Sequence, residues 1–346
     1  GGCSRVRALM AEPPAKPNGS APTSIAQGSQ FRALLPLHFK DDVAAYLRQD
    51  MPHFDVGAFV VGDRPVVATL LAKTDGILAG VPFCDAVFEI LGCSVEWDIA
   101  EGQAVGPAVL AENGGANGVE VRQRMSSSGS FEATGAHFEG RHKVATIRGP
   151  ADKVLQGERT ALNILSRASG IATQTARLVD VKKRMGWHGQ VAATRKVTPG
   201  FRLVEKYAVI VGGGVPHRMS LSDMTMLKDN HVWSSGGSIT EMVRRARSVL
   251  GFSNKVEVEC QSVEEADEAA SAGAEVVMLD NFPPDEAKKA AAKLKALHHR
   301  GLTIEVSGGI TEKDMGDYFS EDIDVISFGR LTHGYDVVDF SLKIIR

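Results

Sequence analysis

The sequence predicts an α/β protein in which a mixed α+β layer in the N-terminal third precedes a parallel sheet wound by helices into a closed or partly closed barrel. Three observations carry this expectation. From Gln190 onward, short apolar runs alternate with helices that open on recognisable caps. The runs end on polar residues or glycines, as barrel strands do at the face that holds their chemistry. No GxGxxG follows any run, so the fingerprint of an open dinucleotide-binding sheet is missing.

The chain has 346 residues, 43% hydrophobic and 23% charged, enough for one large or two moderate domains with a real core. Its net charge of -3 argues against general nucleic-acid binding. There is no run of roughly 18 apolar residues, so no membrane span is expected. Cys3, Cys84, Cys93 and Cys260 have neither zinc-site nor disulfide-framework spacing, and a reducing compartment is the default. Cys260 follows a strand-like run and reads as a buried, inert thiol.

Residues 1–29 are rich in Ala, Pro, Gly and Ser and read as a disordered tail. Arg5 and Arg7 precede the first acid, Glu12, as in a transit segment, but an amphipathic helix is lacking. Asp41 and Asp42 open a short helix through Val43, Tyr46 and Leu47. Ala58–Val61 and Val66–Ala72 read as strands joined by a hairpin turn at Gly62–Pro65. A helix is expected through Ala86 to Leu91, then a strand over Val95–Ile99. The Gly/Ser-rich stretch from Asn113 to His142 is long for a loop in a compact domain and reads as a mobile insertion, with a lid as the alternative. A helix is then expected from Gly157 to Ser169, with Leu162, Leu165 and Ala168 as its buried stripe and Gly170 as its stop. Glu158 and Arg159 would occupy its first turn, where the dipole disfavours a cation.

The barrel strands are expected at Val191–Thr194, Met224–Leu227, Val256–Val258, Val276–Leu279, Thr303–Val306 and Asp324–Phe328. Thr198-Pro199 reads as the cap and first position of a helix. Ser238–Glu241 and Ser262–Glu265 read as capping boxes, Pro284 opens a helix to His298, and Thr311–Asp314 resembles a further cap. At the strand ends stand Arg195-Lys196, Lys228-Asp229-Asn230, Glu259, Asp280-Asn281, Ser307-Gly308-Gly309 and Gly329-Arg330.

Residues 194–231 gather six cations (Arg195, Lys196, Arg202, Lys206, Arg218, Lys228) against three acids, around Gly212-Gly213-Gly214 and His217. A concave site lined in this way attracts a small ligand with several carboxylates or phosphates. The glycine turns at Ser307–Gly309 and Gly329 can aim backbone N–H groups at one phosphate. Glu259 and Asp280 suit a Mg²⁺ ion, ribose hydroxyls, or a counter-ion role toward Lys196 and Lys228.

These residues resemble those of quinolinate phosphoribosyltransferases. The resemblance rests on GERTALNILSRASGIAT (157–173), ATRKVTPGFRLVEKYAVIVGGGVPHR (193–218), LKDNH (227–231), VEVEC (256–260), MLDNF (278–282), SGGI (307–310) and SFGRLTHG (327–334). It implies an N-terminal α/β sandwich (30–168, with the C-terminal segment 335–346 packed on it) and an incomplete α/β barrel (169–334), as in type II phosphoribosyltransferases. It implies transfer from phosphoribosyl pyrophosphate to quinolinate with decarboxylation, Mg²⁺ as cofactor, and a homodimer, with a hexamer built as a trimer of dimers as the larger alternative. A cytoplasmic location is expected, with a nuclear or organellar one as the alternative. Neither nucleic acid nor membrane is an expected partner. By motif position, Thr194, Arg195, Lys196, His217, Arg218 and Lys228 look like the substrate pocket, and Arg159 like a residue lent by the partner subunit. Lys196, Glu259 and Asp280 look catalytic, with the two acids near ribose and metal. Ser307, Gly308, Gly309, Gly329 and His333 look like a phosphate cradle. Arg330 departs from the small or apolar residue often found in that turn.

Three other readings fit less well. A relative acting on nicotinate needs fewer cations. A Schiff-base lyase needs Lys196 or Lys228 in an apolar pocket. A non-catalytic anion binder has no use for both Glu259 and Asp280.

Overall fold

The computed structural model describes residues 29–109, 141–298 and 301–345. The expected tail up to residue 28 and the Gly/Ser-rich stretch from 113 to 140 lie outside them.

After the short helix α1 (Ser29–Arg32), α2 (Phe39–Asp50) buries Phe39, Val43 and Leu47, the i, i+4, i+8 stripe of an amphipathic helix. Residues 56–61 form a helix, α3 (Val56–Val61), where a strand was expected. The β-prone sequence VGAFVV is overridden locally. Asp55 Oδ1 accepts the Ala58 N–H at 3.0 Å, and Gly62 ends the turn at a φ of +72°, so cap chemistry outweighs a weak strand propensity. Gly62–Pro65 is consequently a helix-to-strand turn and no hairpin.

Strand β1 (Pro65–Ala72) is central in an antiparallel sheet ordered β12-β1-β5-β3, with β3 (Ser94–Trp97), β5 (His142–Pro150) and β12 (Phe340–Ile344). The C-terminal segment thus returns to pair with the first strand. His142, expected to end a loop, opens β5 instead; it is buried and its Nδ1 accepts the Gly106 N–H at 3.2 Å. A small two-stranded sheet, β2 (Gly76–Ile77) with β4 (Ala104–Val105), flanks α4 (Val81–Ile90). Phe83 of α4 meets Phe39 edge-on at 5.7 Å.

The helix expected over 157–169 is one 34-residue helix, α5 (Ala151–Arg184). The helix neither starts at Gly157 nor stops at Gly170; these glycines let neighbours approach. A Cβ on Gly157 would lie 2.9 Å from Phe88, and one on Gly170 would overlap the Asp336 carbonyl oxygen. Glycine costs about 1 kcal/mol in a helix interior, and here close packing offsets it. Arg159 therefore stands on the third turn, clear of the helix start, and the dipole argument about it does not apply. The division placed between 168 and 169 falls inside this uninterrupted helix.

The second sheet is wholly parallel, ordered β6-β11-β10-β9-β8-β7, from β6 (Gln190–Ala192), β7 (Thr225–Leu227), β8 (Val256–Cys260), β9 (Val276–Asp280), β10 (Thr303–Ser307) and β11 (Val325–Ser327). Its edge strands β6 and β7 do not pair with each other. At that seam Val215 bridges to Ala192, its N–H reaching Val191 O at 2.9 Å. The result is an incomplete barrel.

Its helices are α6 (Arg202–Val211), α7 (Asp229–Ser234), α8 (Ile239–Val249), α9 (Val263–Ser271) and α10 (Pro284–His298). Ser238 and Ser262 accept the N–H groups of Glu241 and Glu265, as their caps predicted. Two expectations about helix starts fail. Helix α6 begins at Arg202 because Gly200, at a φ of +79°, closes a turn first, and Thr198 donates its N–H to Glu205 Oε2 at 2.9 Å. At 311–314 the bond runs backward: Asp314 Oδ1 accepts from Thr311 N–H at 2.6 Å, and only a short 3₁₀ turn, Met315–Tyr318, follows.

Candidate active site

Alternation along the barrel strands turns Met226, Glu257, Glu259, Met278, Asp280, Glu305, Ser307 and Ser327 to the interior, and the residues just past each strand ring its carboxyl end. There they enclose a cleft of about 770 Å³. Thr194, Arg195, Lys196, His217, Arg218, Lys228, Glu259, Asp280, Ser307, Gly308, Gly309, Gly329, Arg330 and His333 all line it. Arg159 does not: it is exposed on α5, away from this cleft.

The cations come from three places. Arg195 and Lys196 follow β6, where Thr332 Oγ1 donates to the Lys196 carbonyl at 2.7 Å. His217 and Arg218 sit on the turn past the Val215 bridge. Lys228 starts α7, its N–H held by His231 Nδ1 at 3.0 Å, and its ammonium pairs with Glu259. Confining so many cations has a cost. Burial, then the neighbouring Arg195, pushes the Arg218 guanidinium below its ordinary range. Lys206, fully buried behind the turn, is pushed down to about 8 by burial and then by Arg202, Arg195 and Arg218. An arriving polyanion relieves this mutual repulsion.

The acids divide into a rim and a floor. At the rim, Asp280 Oδ2 accepts from Asn281 Nδ2 at 2.6 Å and Gln261 Nε2 at 3.2 Å. At the floor, Glu257 and Glu305 are buried beneath His217, and burial with the neighbouring Glu305 pushes Glu257 up to about 9. Sequence reasoning missed both floor acids. The signal was present: Glu257 precedes Glu259 by two residues and Glu305 precedes Ser307 by two, so strand alternation aims each pair inward.

The glycine turns have steric causes. Gly308 holds a φ of +113°, and a Cβ there would strike the side chain of Asn281, whose own backbone is left-handed at a φ of +59°. A Cβ on Gly329 would come within 3.1 Å of Lys196 Cδ, so glycine leaves the lane along which the Lys196 stem runs. Asn281, Ile310, Thr311 and Phe328 also line the wall; the sequence placed them at the strand ends or within the motifs but singled none of them out as a site residue.

Comparison with known proteins agrees with this geometry. The sequence profile of the quinolinate phosphoribosyl transferase C-terminal domain matches residues 171–343, and that of the N-terminal domain matches 55–121 and 119–169. The chain is 43% identical over 318 residues to the carboxylating nicotinate-nucleotide pyrophosphorylase of Rattus norvegicus, covering 92% of this chain and 94% of that one. It is 43% identical over 302 residues to that of Homo sapiens, covering 87% and 90%. Among solved structures, NadC from Streptococcus pyogenes superposes with a TM-score of 0.72 at 32% identity, covering 90% of this chain and 99% of that one.

Proposed function

The chain belongs to the quinolinate phosphoribosyltransferase family, and from that premise we infer that it transfers the phosphoribosyl group of phosphoribosyl pyrophosphate to quinolinate in NAD biosynthesis. Quinolinate is decarboxylated, and nicotinate mononucleotide, pyrophosphate and CO₂ are the products. The observation that carries this reading is one cleft lined by Arg195, Lys196, Arg218 and Lys228 together with two glycine turns. Quinolinate brings two adjacent carboxylates and its partner brings a phosphate and a pyrophosphate. Burying that much negative charge requires several matched cations.

In this assignment, Arg195, His217, Arg218 and Lys228 serve the quinolinate end, and Ser307 to Gly309, Gly329 and His333 cradle the 5′-phosphate. As the bond from ribose C1 to pyrophosphate breaks, positive charge grows on the sugar and negative charge on the leaving group. Glu259 and Asp280 stabilise the first; Lys196 assists the second. The pyridine nitrogen takes the new bond to C1. The adjacent carboxylate then leaves as CO₂, its bonding electrons remaining on the ring carbon next to the cationic nitrogen until a proton replaces it. The protein needs chiefly to hold the ring in place for this step.

The carboxylates of Glu259 and Asp280 are hard oxygen donors, which Mg²⁺ prefers, and among the described residues Asp280 Oδ1 takes no protein hydrogen bond. When bound there, Mg²⁺ supplies charge neutralisation for the pyrophosphate group. A homodimer also has support. Phe54, Val56, Phe59 and Val60 are exposed around α3, which packs on α5, the helix that carries Arg159. Apolar side chains exposed within one short stretch suit burial by a second copy. In that arrangement Arg159 completes the partner's site. No helix among the described residues is long and apolar enough to cross a membrane, and a cytoplasmic location is proposed.

The test is release of labelled CO₂ from quinolinate, with and without phosphoribosyl pyrophosphate, beside nucleotide formation from nicotinate. Nicotinate lacks one carboxylate and leaves cleft cations that the ligand covers unmatched, at a cost of about 1–3 kcal/mol or more. Its kcat/KM should fall at least about tenfold below that of quinolinate; equal use of the two would sink the reading.

A further inference from the structure

The barrel floor holds two side chains, Glu257 and Glu305, that the reaction above does not use. His217 Nε2 and one oxygen from each acid lie within 4.8 Å of one another. Both acids are buried, and neither Glu257 oxygen nor Glu305 Oε1 has a hydrogen-bond partner among the described residues. One His with two carboxylates is a recurrent donor set for a divalent metal. The hydrogen bonds around His217 argue against that use. The Arg218 N–H donates to His217 Nδ1 at 2.8 Å, so Nδ1 offers its lone pair and the ring proton sits on Nε2. An Nε2–H has no lone pair for a metal. It donates to Glu305 Oε2 at 3.0 Å, with Glu257 farther off at 3.9 Å.

The same contacts hold the backbone. His217 has a φ of +56°, an uncommon conformation for a side chain of that size, kept only where its surroundings enforce it. On one side Lys206 donates its buried ammonium to the carbonyls of Pro216 and Arg218, the latter at 3.3 Å. On the other side stands Glu305. The turn that delivers Arg218 into the cleft is therefore clamped between two buried groups.

We infer that Glu305 is a positioning residue for substrate recognition: by accepting the Nε2 proton of His217 it completes, with the Arg218 N–H on Nδ1, the pair of contacts that fixes the tautomer and the 216–218 turn, and with them the direction in which Arg218 enters the cleft. His217 then serves the pocket through Arg218, because both its ring nitrogens are engaged by the protein. The kinetic consequence rests on the proposed assignment of Arg218 to quinolinate.

The experiment combines ¹⁵N-histidine NMR of the substrate-free protein with steady-state kinetics of Glu305→Gln and Glu305→Leu. Gln keeps an oxygen that accepts the Nε2 proton; Leu offers none. The Nε2–H tautomer of His217 should appear in wild type and Glu305→Gln and be lost or mixed in Glu305→Leu. The Leu variant should raise KM for quinolinate about tenfold or more, with kcat within about threefold, while the Gln variant stays within about threefold of wild type in both. An Nδ1–H tautomer in wild type, one equivalent of tightly bound metal by elemental analysis, or a Leu variant with unchanged KM would each overturn the inference. So would a Gln variant as impaired as Leu. If the Leu variant fails to fold, the wild-type and Gln spectra still decide. The spectra need no substrate, so inactivity on quinolinate would refute the function and leave this measurement intact.

Discussion

The antiparallel layer and the barrel each bury carboxylates, and they treat them differently. In the layer, Glu101 accepts the Gly80 N–H at 2.6 Å and the Val81 N–H at 3.0 Å, at the start of α4. Both its oxygens are occupied. In the barrel floor, among the described residues, Glu257 has no hydrogen-bond partner and Glu305 has one, His217. Burial raises Glu101 to about 8 and Glu257 to about 9, so desolvation alone does not tell the two regions apart. Hydrogen-bond satisfaction does. An acid whose two oxygens are both taken up at a helix start holds a fold together, whereas spare acceptors beside a cationic cleft mark a place organised for a ligand. The layer should accordingly answer substitution in stability, and the barrel in activity.

The largest expected effect lies at the rim of the barrel. Asp280→Asn preserves shape and removes charge. If Asp280 meets the growing cation or the metal, kcat should fall by about 10²-fold or more while thermal stability changes little. Steady-state kinetics beside a melting curve checks both halves; an unchanged kcat would return Asp280 to a structural role and blur the contrast between the regions.

The next prediction crosses between them. Arg159 belongs to α5 and lies outside its own cleft. Arg159→Ala and Lys228→Ala should each be nearly inactive alone. Mixed in equal amounts with subunit exchange, about half the dimers are hybrid, each with one intact site and one doubly defective. Activity should return to about a quarter of wild type. Exchange demonstrated by mass, with activity staying at the mutant level, would confine Arg159 to its own chain or to no role in the site.

How far these regions were legible follows from what each is made of. The barrel announced itself because its helices carry their starts within four residues, as at Ser238–Glu241 and Ser262–Glu265, and because strand ends expose chemistry at fixed positions. The layer was harder to read. VGAFVV reads as strand until Asp55 caps it. Gly157 and Gly170 read as helix punctuation until Phe88 and the Asp336 carbonyl come close, which is tertiary information with no local trace. In the site itself, motif residues were legible as clustered charge, while Glu305, a lone acid in TIEVS, carried only the alternation signal that aims it inward with Ser307 and nothing that names its partner. Only the sheet brings it to His217.

The last prediction leaves activity aside and tests the satisfied acid. Glu101 has a folded-state pKa of about 8 against an ordinary 4.5, so folding favours its protonated form. The stability linked to that proton is fully present below about pH 4.5 and is lost as pH rises through about 8. Glu101→Gln keeps one acceptor for the N–H groups of α4 and removes the titration. Relative to wild type, the Gln variant should therefore gain about 3 kcal/mol between pH 5 and pH 8, measured by urea unfolding at fixed protein concentration, since association would otherwise shift the midpoint. Glu257 titrates in the same direction in both proteins and cancels in the difference. Parallel stability curves would mean that the two N–H bonds outweigh desolvation and keep Glu101 ionised. The layer would then hold a charged carboxylate at a helix start, where the dipole favours it, and the two regions would differ in protonation as well as in hydrogen bonding.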